Sequence, residues 1–184
     1  MLKEELIAKS PVRILEKNIE GGFMSGNIGV IASLKGIGKT SVLVQLALDK
    51  LLQGEKVIHV SFTAHTSYVI AWYENIFNEL AKRRGLEKID EVRDELVKNR
   101  VIMNFAQEGV TIDQILRSLR AMIVDGGFKA KTLIVDGYDF SRSTKADFDK
   151  VKAFAQEMCI EIWYSCTLFG EDPVVDKNNI PIVL

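Results

Sequence analysis

Residues 31–41, IASLKGIGKTS, decide how the rest of the chain reads. An apolar run (27–32, NIGVIA) leads into this stretch and predicts a strand. A helical pattern over 39–53 leaves it and stops at Gly54. That helix is apolar on most sides, with Val42, Leu43, Val44, Leu46, Ala47, Leu48 and Leu51, as expected of a helix packed deep against a sheet. Strand, small-residue loop and buried helix together form one unit of an α/β fold.

The alternation continues outward from that unit. Residues 56–62 (KVIHVSF) predict a second strand, and 68–84 a long helix with Trp72, Ile76 and Leu80 on its apolar stripe. A charged, exposed helix over 86–99 precedes a third strand at 100–105 (RVIMNF). Thr111 and Gln114 have capping-box spacing at the start of the next helix, and Gly126-Gly127 close it. The short strand 132–135 (TLIV) ends at Asp136, Thr144 and Asp147 cap a helix whose Phe148, Val151 and Met158 share a face, and 160–165 (IEIWYS) is a further strand. Residues 180–184 (IPIVL) predict a last strand, at an edge or an end because of Pro181. Apolar strands that do not alternate, separated by helices, specify a mostly parallel sheet covered on both faces. In such folds ligands bind at the carboxyl ends of the strands, where Ser33, the residues after Phe62, and Asp136 fall.

Composition narrows the function classes. The chain has 184 residues, 47% hydrophobic and 27% charged, which predicts a soluble globular protein of one domain over 1–184. A net charge of -1 supplies no global field for nucleic acid, and Lys82-Arg83-Arg84 reads as a solvated helix end. The start, MLKEELIAKS, carries acids and no apolar run, so neither a signal peptide nor a membrane span is expected. Cys159 and Cys166 match no metal spacing and lie in apolar segments, so both are expected to be buried, and the compartment to be the cytoplasm.

The chemistry of the opening stretch follows from its residue types. Amides at a helix start, aided by the helix dipole, hold phosphate oxygens. In the pattern G-x-x-x-x-G-K-[ST] the lysine reaches the β and γ phosphates and the hydroxyl ligates Mg²⁺. Here Lys39 and Thr40 take those roles, Gly36 and Gly38 supply flexible backbone, and Ser33 replaces the starting glycine. The residues expected around a bound nucleotide are Ser33, Lys35, Gly36, Ile37, Gly38, Lys39, Thr40 and Ser41, of which Lys35 is a solvent-facing loop residue. Leu34 directly after Ser33 excludes the deviant loop type that has lysine there. Asp136 either holds the hydration shell of the Mg²⁺ beside Thr40 or caps a turn before Gly137.

Residues 21–62, GGFMSGNIGVIASLKGIGKTSVLVQLALDKLLQGEKVIHVSF, resemble the opening of the RecA-like P-loop ATPases, closest to the KaiC/RadA and DnaB-helicase branch. Gly21, Gly22, Gly26, Gly38, Lys39, Thr40, Gly54, Lys56 and Ser61 match in order, and with Asp136 the likeness spans about residues 10–168. It implies a three-layer P-loop NTPase fold, with ATP and Mg²⁺ as cofactors.

Departures from the family pattern bear on activity. The second strand there ends in a glutamate general base, where this chain has Thr63-Ala64-His65. In other P-loop branches a glutamate follows the strand-end aspartate, and here that place is Gly137. Asp139, Glu108 and His65 are the conceivable substitutes, so no catalytic residue is assigned. Ser165, Cys166 and Thr167 stand where the family has its γ-phosphate sensor. With one candidate strand after that point, the pattern argues against a helicase or recombinase. The expectation is an ATP- and Mg²⁺-binding protein with weak or partner-dependent ATPase activity. The alternative is a non-hydrolysing nucleotide sensor that meets a protein partner, or a second copy of itself, through the helix carrying Trp72, Tyr73 and Phe77. A small-molecule kinase is a weaker reading, because no arginine-rich lid is evident.

Overall fold

The computed structural model describes residues 2–19 and 24–168. Two short helices come first, α1 (Lys3–Ala8) and α2 (Val12–Asn18), neither with a side-chain cap. There follow β1 (Ile28–Ser33), α3 (Lys39–Leu52), β2 (Val57–Ser61), α4 (Thr66–Arg84), α5 (Ile89–Lys98) and β3 (Arg100–Asn104). The chain continues through α6 (Ile112–Arg120), extended by a wide turn over Ala121–Asp125, then β4 (Thr132–Asp136), α7 (Lys145–Met158) and β5 (Glu161–Thr167). The strand expected at 180–184 lies outside the described residues.

The five strands of the described residues are all parallel, in the order β1-β5-β4-β2-β3. β2 and β4 are buried along their whole length, and successive side chains divide between two cores. Val57, Ile134 and Trp163 face α3, α4 and α5, whereas Ile58, Val60, Leu133, Val135, Ile162 and Tyr164 face α6 and α7. The result is a three-layer α/β architecture with a parallel sheet in the middle. No helix among the described residues is long and apolar enough to cross a membrane.

Burial of a leucine or valine side chain contributes roughly 1.5–3 kcal/mol. With Leu43, Val44, Leu46, Leu48, Leu51 and Leu52 all buried, α3 is held by packing and fixes the loop at its start. Arg13 of α2 forms an ion pair with the buried Asp49 of α3, which ties the N-terminal helices to the same element. On the sheet, β1 passes beneath an indole. A Cβ on Gly29 would stand 2.7 Å from Cη2 of Trp163 and closer still to two other ring atoms.

Both capping boxes form as their spacing predicts, at Thr111–Gln114 and Thr144–Asp147. Three sequence expectations are corrected. The buried stripe of α4 is Val69, Tyr73, Phe77 and Ala81, one residue along from the expected one, leaving Trp72 43% exposed and Tyr73 only 1% exposed. The charged segment after Gly85 does bury Val92 and Leu96. Cys159 is exposed, at the left-handed C-cap of α7 with φ of 52°, while Cys166 is buried as expected.

Candidate functional site

β1 ends at Ser33 and α3 begins at Lys39, so residues 34–38 make the whole turn on the carboxyl rim of the sheet. The left-handed backbone falls on Gly36 and Gly38, with φ of +85° and +92°. Ser33 keeps strand geometry, paired with Thr167, and its replacement of glycine therefore introduces no backbone strain. Leu34, Lys35 and Ile37 point to solvent. The first bond of the α3 ladder runs from the Val42 N–H to the Gly38 carbonyl at 3.1 Å. The amides of Lys39, Thr40 and Ser41 precede that ladder and face the loop. Lys39 arches over it, its Nζ donating to the carbonyls of Ser33 at 3.0 Å and Leu34 at 2.8 Å.

β5 lies between β1 and β4, yet the rim brings all three strand ends together. Thr40 Oγ1 donates to Oδ2 of Asp136 at 2.8 Å, across 96 residues of sequence. Ser165 Oγ donates to the other oxygen, Oδ1, at 2.6 Å and accepts the Gly137 N–H at 2.9 Å. Asp136 is 6% exposed, and the bonds to its carboxylate go to α3 and β5 and not to its own turn. The turn-cap alternative is therefore set aside: Ser165 takes the Gly137 N–H. A carboxylate oxygen and a hydroxyl oxygen at hydrogen-bond distance are hard donors of the kind that would suit Mg²⁺.

The neighbouring corner, between β2 and β4, is built differently. The Phe62 N–H donates to the Asp136 carbonyl, and Ser61 Oγ accepts the Ala64 N–H at 3.0 Å. Asn104 Nδ2 donates to the carbonyls of Ser61 and Ala64, fixing the loop that carries Thr63. Thr63 then lies directly against Gly137, whose φ is +74°. A Cβ at position 137 would stand 2.7 Å from Cγ2 of Thr63 and closer still to its Oγ1. Thr63 therefore fills the space that a side chain at position 137 would need.

The three substitute bases have other engagements. His65 caps α4, its side chain accepting the Ser67 N–H. Asp139 accepts from the Ser141 hydroxyl and backbone and from Arg142, and the Ser141 hydroxyl foremost holds its carboxyl below the usual range. Glu108 pairs with Arg142 at 3.2 Å.

Three features of this rim escape sequence reasoning. Gln107 clamps Asp139 with two bonds of 2.8 Å, from its Nε2 to the backbone carbonyl and from the backbone N–H to its Oε1. Aromatic rings of Phe62, Tyr138, Phe140 and Tyr164 pack edge to face beneath it, with Phe62 and Tyr138 centroids 5.1 Å apart. Beneath the other face of β2, the fully buried His59 bonds Tyr73 Oη through Nδ1 at 3.1 Å. The guanidinium of Arg100 lies over that tyrosine ring at 4.3 Å. Burial lowers the His59 pKa to about 4, with the Asp136 carboxylate raising it and Arg100 lowering it further. Of these features only the third left a signal in the sequence, His59 as a polar side chain inside the otherwise apolar run of β2. Comparison with models of known protein families gives no match, and no curated protein is significantly similar in sequence.

Proposed function

We propose that this protein binds a nucleoside triphosphate with Mg²⁺, ATP by its resemblance to the RecA-like P-loop ATPases. The observation that carries the reading is the joining of Thr40 and Asp136 at 2.8 Å beside a lysine folded over the loop. Lys39 holds two carbonyls with the ammonium that would otherwise meet phosphate oxygens, and the α3 amides supply further donors. Thr40 and Asp136 would hold the metal, which neutralises phosphate charge when bound. The chain's own contribution is orientation: α3 is fixed by its buried leucines, and Asp136 by hydroxyls on two other elements.

Hydrolysis, on this reading, is slow or depends on a partner, because no acid among the described residues stands free at the β2–β4 corner. A misplaced or missing general base typically costs 10²- to 10⁴-fold in rate. The Thr63–Gly137 contact also favours a second reading, a non-hydrolysing nucleotide sensor. In that role Trp72, on the outer side of α4, is available to a protein partner or a second copy, while Tyr73 and Phe77 are committed to the core.

Titration with ATP, with and without Mg²⁺, followed by phosphate release, tests both readings on the parent and on Lys39→Ala. We expect Lys39→Ala to weaken ATP binding by about 30-fold, the loss of a charge-assisted contact of about 2 kcal/mol. Phosphate release that disappears with Lys39 supports the slow ATPase. Binding without such release leaves the sensor. Absence of nucleotide binding in the parent overturns the proposal.

A further inference from the structure

Resting on that reading of the rim, we infer that Ser165 is the positioning residue for Asp136, and not a reader of the terminal phosphate. A serine hydroxyl has one proton to donate and two lone pairs. The proton of Ser165 is directed to Asp136 Oδ1 at 2.6 Å, the short distance typical of a hydroxyl on a carboxylate. One lone pair takes the Gly137 N–H at 2.9 Å. The side chain is nearly enclosed, at 4% exposure for the residue. A group that senses phosphate must donate to it, and this donor is already engaged.

The second hydroxyl on Asp136 has a different standing. Thr40 Oγ1 donates to Oδ2, and the same hydroxyl is the one whose oxygen would face a metal beside the phosphates. Turning Thr40 to that task releases Oδ2. The carboxylate then keeps its orientation through Ser165 alone, with the following peptide held by the same oxygen. Hydrogen bonds to a metal-holding carboxylate commonly set metal affinity by 10- to 100-fold when removed. Ser165 reaches this position because β5 is inserted between β1 and β4, which puts its strand end against Asp136.

The test uses the full chain, with ATP and ADP as probes and Mg²⁺ titrated from zero, for the parent and for Ser165→Ala, Ser165→Cys and Ser165→Thr. We expect Ser165→Ala to raise the Mg²⁺ concentration for half-maximal tightening about 10-fold or more, equally for ATP and ADP. Metal-free nucleotide affinity should change less than 2-fold. Ser165→Thr, which keeps the hydroxyl, should restore the parent's Mg²⁺ dependence, and Ser165→Cys, a weak donor, should follow alanine. Should alanine fail to fold, the cysteine and threonine pair carries the same comparison. Loss of preference for ATP over ADP, with Mg²⁺ dependence unchanged, would make Ser165 a phosphate sensor and overturn the inference. Unchanged behaviour in both respects would also overturn it. A parent that binds nucleotide but ignores Mg²⁺ sinks the metal role of Asp136, whereas a parent that binds no nucleotide sinks the whole reading of the rim.

Discussion

Two corners of the same rim, side by side, are made by opposite means. At the β1–β5–β4 corner, Thr40 and Ser165 both donate to Asp136, and the Lys39 ammonium closes the loop on the carbonyls of Ser33 and Leu34. At the β2–β4 corner, Thr63 and Gly137 meet by contact alone, and the space for a side chain is closed. The first corner keeps polar groups available to exchange partners. The second is a fitted joint. A fold can therefore gather polar groups in one place and, a strand's width away, close a corner to any further side chain.

The largest effect expected from disturbing this contrast is at Gly137. Gly137→Ala forces a Cβ into Thr63 on a backbone with φ of +74°. Backbone strain and overpacking together should destabilise the fold by about 3 kcal/mol, read from the midpoint of urea unfolding. Adding Thr63→Ala should recover part of that loss. Additive effects would mean the two residues do not compete, and the joint would be no joint.

Below the rim, His59 gives an effect that depends on pH. Burial lowers its pKa to about 4 from an ordinary 6.5, so the folded protein holds it neutral. Between pH 6.5 and about 4 the unfolded chain takes up a proton that the folded one refuses. Its contribution is complete above pH 6.5 and is lost as pH falls through that window. Thermal unfolding from pH 8 to pH 4 should thus fall more steeply for the parent than for His59→Gln. Parallel slopes would show that His59 titrates normally.

The smallest effect concerns the loop that carries Thr63. Asn104→Ala removes donors to the Ser61 and Ala64 carbonyls and should cost about 1 kcal/mol. Because it loosens Thr63, it should also reduce the cost of Gly137→Ala, and a double-mutant cycle measures the coupling. Zero coupling would place the rigidity of that corner elsewhere.

How much of this was legible beforehand depended on range. The five strands of the described residues, the buried α3 and both capping boxes follow from neighbours within a few residues, and they form where their patterns put them. The two N-terminal helices went unread because they are six and seven residues long and lack side-chain caps. On α4 two apolar stripes run side by side, and periodicity does not say which faces α3; the structure buries Tyr73 and leaves Trp72 outside. Cys159 sits in an apolar stretch, but the left-handed turn that ends α7 directs it outward. Thr40 and Asp136 could be paired from motif spacing. The bond from Ser165 could not, since it requires knowing that β5 comes between them. The closure of the β2–β4 corner likewise depends on two loops meeting, and each alone shows only a missing acid.

The indole over β1 bears on how such a sequence can drift. Position 29 has no room for even a methyl group while Trp163 lies across it. The pair is two residues from Ile31 on one strand and two from Ser165 on the other. An ancestor or descendant that acquires alanine at 29 must shrink residue 163 in the same step or shift β1 against β5. Substitutions at these two positions should arrive together, and a lineage that has crossed that step would have had little gradual path by which to do so.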